Sequence, residues 1–335
     1  MANTAAEVVE VAVGIARRPD GHVLIARRPE GKIRGNLWEF PGGKLEAGES
    51  AAQALGREWM EELGVRVQVG ADGYHLSHAY PDITVRLHVF TVEMLGSPVA
   101  QEGQILRWAA PERLEARDFV AADRHVLTRL RLPSLLLISQ VEALGTETWL
   151  TRLEGALKSG VRLVQLREHQ LDDHHYERLG ARCEALCDAY GASLIYNRDP
   201  EWVLARPRGG LHVTSAILGR LNSRPISDSR WFGVSCHSAD ELALAVRLGA
   251  DYATLGPVCR TKSHPEAVPI GWQRYQELVT GLGLPVLAQG GLSPKDAQNA
   301  VQHGGHGIAF IRGAAGWEDS PALCADRARP GTRRP

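Results

Sequence analysis

At 335 residues, 44% hydrophobic and 23% charged, the chain is long for one ordinary domain and has the composition of a soluble globular protein with room for two. Its formal net charge of −1 supplies no global field that would select direct nucleic-acid binding or a membrane surface, and no apolar run is long enough to span a bilayer. The five cysteines, Cys183, Cys187, Cys236, Cys259 and Cys324, are odd in number and form no C-x-x-C pair, which predicts a reduced, cytoplasmic protein.

In chain order, the opening "MANTAAEVVEVAVGIARR" has no basic stretch ahead of a long apolar core and does not read as a secretory signal. "VVEVAVGIARR" and "HVLIARR" flank the turn signal "PDG", which predicts a β-hairpin. A helix is expected from about Ser50 to Leu63, with Ser50 as its N-cap and Gly64 as its stop. "ITVRLHVFTVEML" sets Val85, Leu87 and Val89 against polar neighbours, the pattern of a half-buried strand. "ADRHVLTRLRL" predicts a helix that ends at Pro133.

Beyond Pro133 the rhythm changes to strand then helix. The strand candidates are "SLLLIS", "LVQLRE", "SLIYN", "GLHV", "WFGVSCH", "YATLGPV", "PVLAQGG" and "GIAFI". Eight strands alternating with helices over about 200 residues predict a (β/α)8 barrel. No G-x-G-x-x-G follows its first strand, which argues against an open dinucleotide-binding sheet. The expected division is residues 1–131 and residues 132–335, with no Gly/Ser-rich linker between them. Cys183 and Cys187, four apart on a predicted helix, read as buried packing. The histidine-rich "DDHHYE" and "HGGHG" read as solvated loop or helix start rather than as metal sites.

The segment "GGKLEAGESAAQALGREWMEELGV" places Glu58, Glu61 and Glu62 on one helical face, where like charges repel. Either the face is simply solvated, or a cation sits there, and a hard divalent ion with oxygen ligands suits it. Gly42 and Gly43 upstream permit close backbone approach to a ligand, and Arg57 is placed to hold Glu49 across the loop–helix turn. The pattern G-x5-E-x7-R-E-U-x-E-E-x-G-U, with U bulky or apolar, is matched at every position from Gly43 to Val65.

This is the Nudix box, and residues 1 to about 131 resemble a Nudix hydrolase. The resemblance implies an α/β/α sandwich with a mixed sheet. It also implies Mg2+-dependent hydrolysis (Mn2+ as an alternative) of a nucleoside diphosphate linked to another group. It implies Glu58 and Glu62 as metal ligands supported by Glu61, with the carbonyl of Gly42 and the later Glu102 of "AQEGQ" completing the site. Arg57 and Glu49 belong to the same catalytic constellation. "LIARRPEG" and "EFPGGKLE" resemble the MutT subfamily, which converts 8-oxo-dGTP to the monophosphate and pyrophosphate and so serves DNA replication fidelity. That resemblance gives Arg28, Glu39, Phe40, Pro41 and Gly42 to nucleotide binding, with Phe40 packing either on the base or in the core. "DFVAADRH" fits the subfamily's purine-reading segment with Asp123 in place of asparagine. An ionised Asp123 accepts hydrogen bonds and does not donate, which suits the N1–H and amine of a guanine.

"GVRLVQLRE", "GVSCHS", "GADYATLGPV" and "LPVLAQGGLSP" resemble thiamine-phosphate synthase and its TenI-like relatives over about residues 134 to 313. The resemblance implies a phosphate corner at Gly290 and Gly291 with Arg312 and Gly313. It adds Arg167, Asn197, Ser235, His237 and Thr261 as ligand contacts for a thiazole- or thiamine-type phosphate. His237 matches a histidine that moves protons in TenI-like tautomerases. Several synthase positions differ. His169 stands where a lysine is expected, Asn197–Arg198 where Asn–Asp is, "HVTSAIL" lacks the aspartate after strand four, and His264 with a shifted Lys262 replaces a lysine. The two aspartates are the synthase's Mg2+ ligands, so the barrel is expected to make little thiamine phosphate and to bind a phosphorylated ligand. The readings left open are a nucleotide-pool hydrolase, a thiamine-related diphosphate hydrolase coupled to a tautomerase, and a hydrolase regulated by a ligand-sensing barrel.

Overall fold

The computed structural model describes residues 8–71, 73–261 and 266–311. The chain divides into two compact units, the first running to Arg131 and including Gly281–Gly283, the second comprising Leu132–Thr280 and the residues from Leu284 on. No helix among the described residues is long and apolar enough to cross a membrane.

In the first unit, β1 (Val8–Ala16), β2 (Val23–Arg27), β3 (Trp38–Glu39) and β4 (Gly42–Lys44) lead into helix α1 (Ala51–Leu63). β5 (Val67–Val69), β6 (Tyr74–Ala79), β7 (Thr84–Met94), β8 (Ile105–Ala109) and helix α2 (Ala121–Arg131) follow. One sheet runs β4-β1-β7-β5 with β6 also on β7, and a second runs β3-β2-β8. β1 and β7 are parallel while β4 lies antiparallel to β1, so the first sheet is mixed.

Period two in β1 decides what faces what. Val13 and Ile15 point into a core shared with Ala122, Val126 and Leu127 of α2. Ala12 and Ala16 point the other way, into a core shared with Ala54, Leu55, Trp59 and Leu63 of α1. β7 does the same, with Val85, Leu87 and Val89 on the α2 side and Val92 on the α1 side. The mixed sheet is therefore layered between the two helices.

The expected hairpin forms only its turn. Arg18 and His22 close it through a backbone hydrogen bond of 2.9 Å, and a single bridge pairs Arg17 with Val23. β1 and β2 then part into different sheets. A strand has two hydrogen-bonding edges, and β1 gives both to β4 and β7, so β2 pairs instead with β3 and β8.

Gly14 in β1 makes room for the buried indole of Trp59. A Cβ there would lie 2.7 Å from Trp59 Nε1, whose N–H donates to the Pro41 carbonyl at 3.2 Å. Gly14→Ala is expected to destabilise the first unit by about 1–3 kcal/mol through overpacking. Urea unfolding followed by tryptophan fluorescence measures it, and an unchanged midpoint would contradict the packing described.

The second unit is a closed parallel barrel, ordered β10-β11-β12-β13-β14-β15-β16-β9. Its strands are β9 (Leu135–Ile138), β10 (Leu163–Leu166), β11 (Ser193–Tyr196), β12 (Gly210–Val213), β13 (Phe232–Cys236), β14 (Tyr252–Leu255), β15 (Val286–Gln289) and β16 (Gly307–Phe310). Between β9 and β12 lie α3 (Val141–Leu144), α4 (Thr146–Lys158), α5 (Asp173–Ala189) and α6 (Pro200–Leu204). After β12 come α7 (Ser215–Leu218), α8 (Ala239–Arg247), α9 (Gly271–Val279) and α10 (Ala297–Gln302). All eight strand candidates become barrel strands. Each is a short apolar run, buried because a parallel strand in a barrel is covered on both faces.

The two histidine-rich segments have structural roles. Asp172 caps α5 and also pairs with the His175 ring at 2.8 Å. His306 is not solvated but buried, with Nε2 2.7 Å from the Leu132 carbonyl. Cys183 and Cys187 are buried thiols outside any disulfide, as expected for packing residues.

Candidate active site

Helix α1 carries the acidic face. Ser50 Oγ accepts from Gln53 N–H, while Gln53 returns a bond of 2.8 Å to Ser50 N–H, a capping box that fixes the helix start. Gly64, at φ 60°, ends it in the left-handed region that favours glycine. With both ends pinned, Trp59 and Leu63 go to the core and the glutamates face outward.

Arg57 organises the face. Its Nη2 lies 2.7 Å from Glu49 Oε1, and its Nη1 lies 3.0 Å from Glu58 Oε1 and 3.1 Å from Glu61 Oε2. A further bond reaches the Lys44 carbonyl at 3.1 Å. The Glu49 hydrogen bond is the largest of the causes that raise the Arg57 pKa, and Glu49 is lowered in return. One guanidinium thus ties helix, loop and strand β4 together. Glu61 is the exposed member and turns to Arg57.

The carboxylates that crowd are Glu62 with Glu39, Glu58 and Glu102. Burial raises the Glu62 pKa to about 7, and the charges of those three push the same way, while Arg28 opposes them. Gly43 leaves the space Glu58 needs, since a Cβ on Gly43 would lie 2.1 Å from the Glu58 carboxyl carbon. A Cβ on Gly42 would lie 2.0 Å from the Ala12 carbonyl oxygen. The two glycines therefore serve strand pairing and the Glu58 side chain. Among the described residues, no three or more Asp, Glu, His or Cys side chains are gathered closely enough to hold a metal ion by themselves.

The nucleotide-side residues separate into two sets. Arg28 pairs with Glu39 and, through Nε, holds the Ile33 carbonyl at 3.0 Å. The loop it braces contains Arg34 and Asn36 at φ 58° and 64°, sparsely populated values for such residues. Phe40 is removed from base stacking, being 2% exposed and packed on Phe119 with ring centroids 5.5 Å apart. Pro41 is buried as well, its carbonyl taking Gly14 N–H and Trp59 Nε1–H.

Asp123 opens α2 and is 4% exposed. Its Oδ2 accepts the Phe40 N–H at 2.7 Å. Burial, reinforced by Glu39 and opposed by the Phe40 hydrogen bond and by Arg28, raises its pKa to about 8. One of its oxygens is therefore already engaged, and burial favours the neutral acid. Of the two acceptors expected from the sequence, one is taken up within the fold by Phe40 N–H.

Two contacts of the site follow from no spacing rule in the sequence. Glu39 joins the acidic cluster 19 residues before Glu58. Lys32 Nζ lies 3.4 Å from Glu102 Oε2, an exposed pair worth little by itself but one that sets an ammonium beside the carboxylates.

In the barrel, Arg167, Asn197, Ser235, His237, Gly290 and Gly291 fall on or just past the C-terminal ends of parallel strands, the end where such barrels place their sites. His212 bridges Tyr252 OH at 3.2 Å and Ser235 Oγ at 2.9 Å. Asn197 Nδ2 donates to the His212 carbonyl at 2.7 Å, and its buried Oδ1 has no partner. His237 Nδ1 lies 2.7 Å from the Gly256 carbonyl. Gly291, at φ 70°, approaches the Arg260 carbonyl so closely that a Cβ would lie 2.3 Å away. Thr261 is half-buried. Arg312, Gly313, Lys262 and His264 lie outside the described residues.

Residues 135–314 match the model of the family described as thiamine monophosphate synthase. Residues 12–129 match that of the NUDIX domain. A putative thiamine-phosphate synthase 2 of Aquifex aeolicus is 35% identical over 182 residues, which span 54% of this chain and 97% of that protein. The solution structure of the E. coli ORF135 protein is 36% identical and covers 36% of this chain and 87% of its own, with a TM-score of 0.33. The thiamine phosphate pyrophosphorylase of Pyrococcus furiosus is 23% identical and covers 60% of this chain and 94% of its own, with a TM-score of 0.46.

Proposed function

We propose, for a chain that belongs to the thiamine monophosphate synthase family and carries a NUDIX domain ahead of that family's barrel, that the first unit is a divalent-cation-dependent pyrophosphohydrolase. Its substrate is a guanine nucleoside triphosphate, 8-oxo-dGTP first among them, and its products are the monophosphate and pyrophosphate.

The observation that supports this most is the burial of Glu62 beside Glu39, Glu58 and Glu102, which together push its pKa up to about 7. A cluster that repels itself this way gains from a bound cation. Glu58, Glu62, Glu102 and the Gly42 carbonyl would hold Mg2+, or Mn2+ in its place. When bound, the ion neutralises diphosphate oxygens and activates water for attack at phosphorus. Arg57 keeps Glu58 aimed, and Glu49 keeps Arg57 in place. Arg28 and Lys32 supply positive charge for the phosphates.

Asp123 supplies the base preference. A neutral carboxyl whose Oδ2 accepts Phe40 N–H has an O–H to donate, which suits the O6 acceptor of guanine and opposes the N6 amine of adenine.

A second reading has one specific support, the barrel family in the same chain. In it the first unit hydrolyses thiamine-type diphosphates, and the barrel receives the monophosphate or acts as a tautomerase through His237. A panel of nucleoside triphosphates and thiamine diphosphate, assayed with Mg2+, separates the two. Guanine nucleotides are expected to lead by roughly tenfold to a hundredfold in kcat/KM over adenine nucleotides. A lead for thiamine diphosphate over every nucleotide would replace the first reading with the second.

A further inference from the structure

The synthase resemblance implies a divalent cation at the C-terminal ends of the barrel strands, held by carboxylates after β11 and β12. The donors present do not fit one. Arg198 occupies the position after β11. Its guanidinium donates to the Leu171 carbonyl and lies 4.1 Å from the Tyr176 ring centroid, and its buried Nε has no partner. Asp199 caps α6, its Oδ1 accepting Glu201 N–H at 3.0 Å. After β12, Thr214 caps α7, and Ser215 and Ala216 follow with no acid.

The nearby carboxylates are engaged elsewhere. Glu168 is 2% exposed. Its Oε1 accepts from Ser139 Oγ at 2.5 Å and Val141 N–H at 2.8 Å. Its Oε2 accepts from Gln170 Nε2 at 2.8 Å and Glu142 N–H at 3.4 Å. Four donors fill the lone pairs a metal would need. Glu241 Oε2 accepts His237 N–H at 2.5 Å. The local field is also cationic, since burial together with Arg167 and Arg198 lowers the His169 pKa.

We infer that this barrel takes its anionic ligand without a divalent cation, the fixed charges of Arg167 and Arg198 providing the neutralisation a metal provides in the synthases. Guanidinium groups bind phosphate oxygens in a planar fork, which suits a phosphate monoester. Mg2+ is shed from water only for a set of oxygen ligands, and among the described residues the carboxylates Glu168, Asp199 and Glu241 beside these strand ends already accept hydrogen bonds. The same reasoning denies the barrel metal-assisted departure of diphosphate. This inference does not depend on the substrate proposed for the first unit.

The test counts Mn2+ by electron paramagnetic resonance on the full chain carrying Glu58→Gln and Glu62→Gln, which removes metal carboxylates from the first unit. Glu58→Gln alone serves if the pair fails to fold. The expected result is no barrel ion tighter than about 1 mM, and thiamine monophosphate binding equal within about twofold in EDTA and in Mg2+. Residual Mn2+ that Asn197→Ala leaves unchanged is held by Glu39 and Glu102 and upholds the inference. Residual Mn2+ that Asn197→Ala abolishes overturns it, as does thiamine monophosphate binding tightened about tenfold or more by Mg2+. Where thiamine monophosphate binds under neither condition, the Mn2+ count decides.

Discussion

Glu62→Gln and Glu58→Gln, made singly, are expected to cut pyrophosphate release by about a thousandfold or more, the effect of several kcal/mol of lost charge stabilisation. Folding should survive, and the metal-free protein should gain stability in Glu62→Gln. Glu62 is partly desolvated and is crowded by Glu39, Glu58 and Glu102, so an ionised carboxyl there opposes folding. The amide keeps the shape and removes the repulsion. Lower activity with equal or higher Tm is the signature of a strained functional cluster. Glu61→Gln should lose much less, because Glu61 is exposed and bonds to Arg57. Turnover near wild type in either of the first two variants would sink the metal assignment.

Asp123→Ala is expected to reduce the preference for guanine over adenine nucleotides by roughly tenfold to a hundredfold, as a lost or unmade buried hydrogen bond costs about 1–3 kcal/mol. Asp123→Asn should keep the preference, because an amide reproduces the donor and the acceptor of a neutral acid. The two variants also differ from wild type in their response to pH. A carboxyl whose folded pKa lies above its unfolded value stabilises the fold below the unfolded value and gives that up as pH rises through the folded one. For Asp123 that window runs from the usual 3.8 to about 8. Wild-type stability should therefore fall by roughly 1 kcal/mol per pH unit between about pH 5 and pH 8 from this group alone. Asp123→Asn should remove that slope. Glu62 adds a slope of the same sign, so the comparison is of wild type with variant. An unchanged slope in Asp123→Asn would show that the carboxyl is ionised. Unchanged base preference in Asp123→Ala would leave Asp123 as a tether for Phe40 only.

Legibility in the sequence followed locality. Helix α1, its caps and the Arg57–Glu49 pair lie within 16 residues of one another and obey helical spacing, so pattern alone places them. The barrel strands are short apolar runs marked off by glycine and proline, which is also local information. Glu39 joins the acidic cluster through the path of strand β3, and no spacing rule reaches it. The β1–β2 hairpin failed because its outcome depended on β4 and β7 claiming both edges of β1. Phe40 and Asp123 were readable as residues of the right kind, but burial places one in the core and favours the neutral form of the other. Glu168 illustrates the same limit in the barrel, because three of its four donors come from residues 139–142, far from it in sequence, and only Gln170 is local.

The most direct test of the central claim is product analysis of 8-oxo-dGTP incubated with the full chain, once with Mg2+ and once with EDTA. The monophosphate and pyrophosphate, formed in Mg2+ and absent in EDTA, are the predicted result. Hydrolysis that continues undiminished in EDTA, or release of inorganic phosphate in place of pyrophosphate, would contradict a divalent ion held by the carboxylates around Glu62.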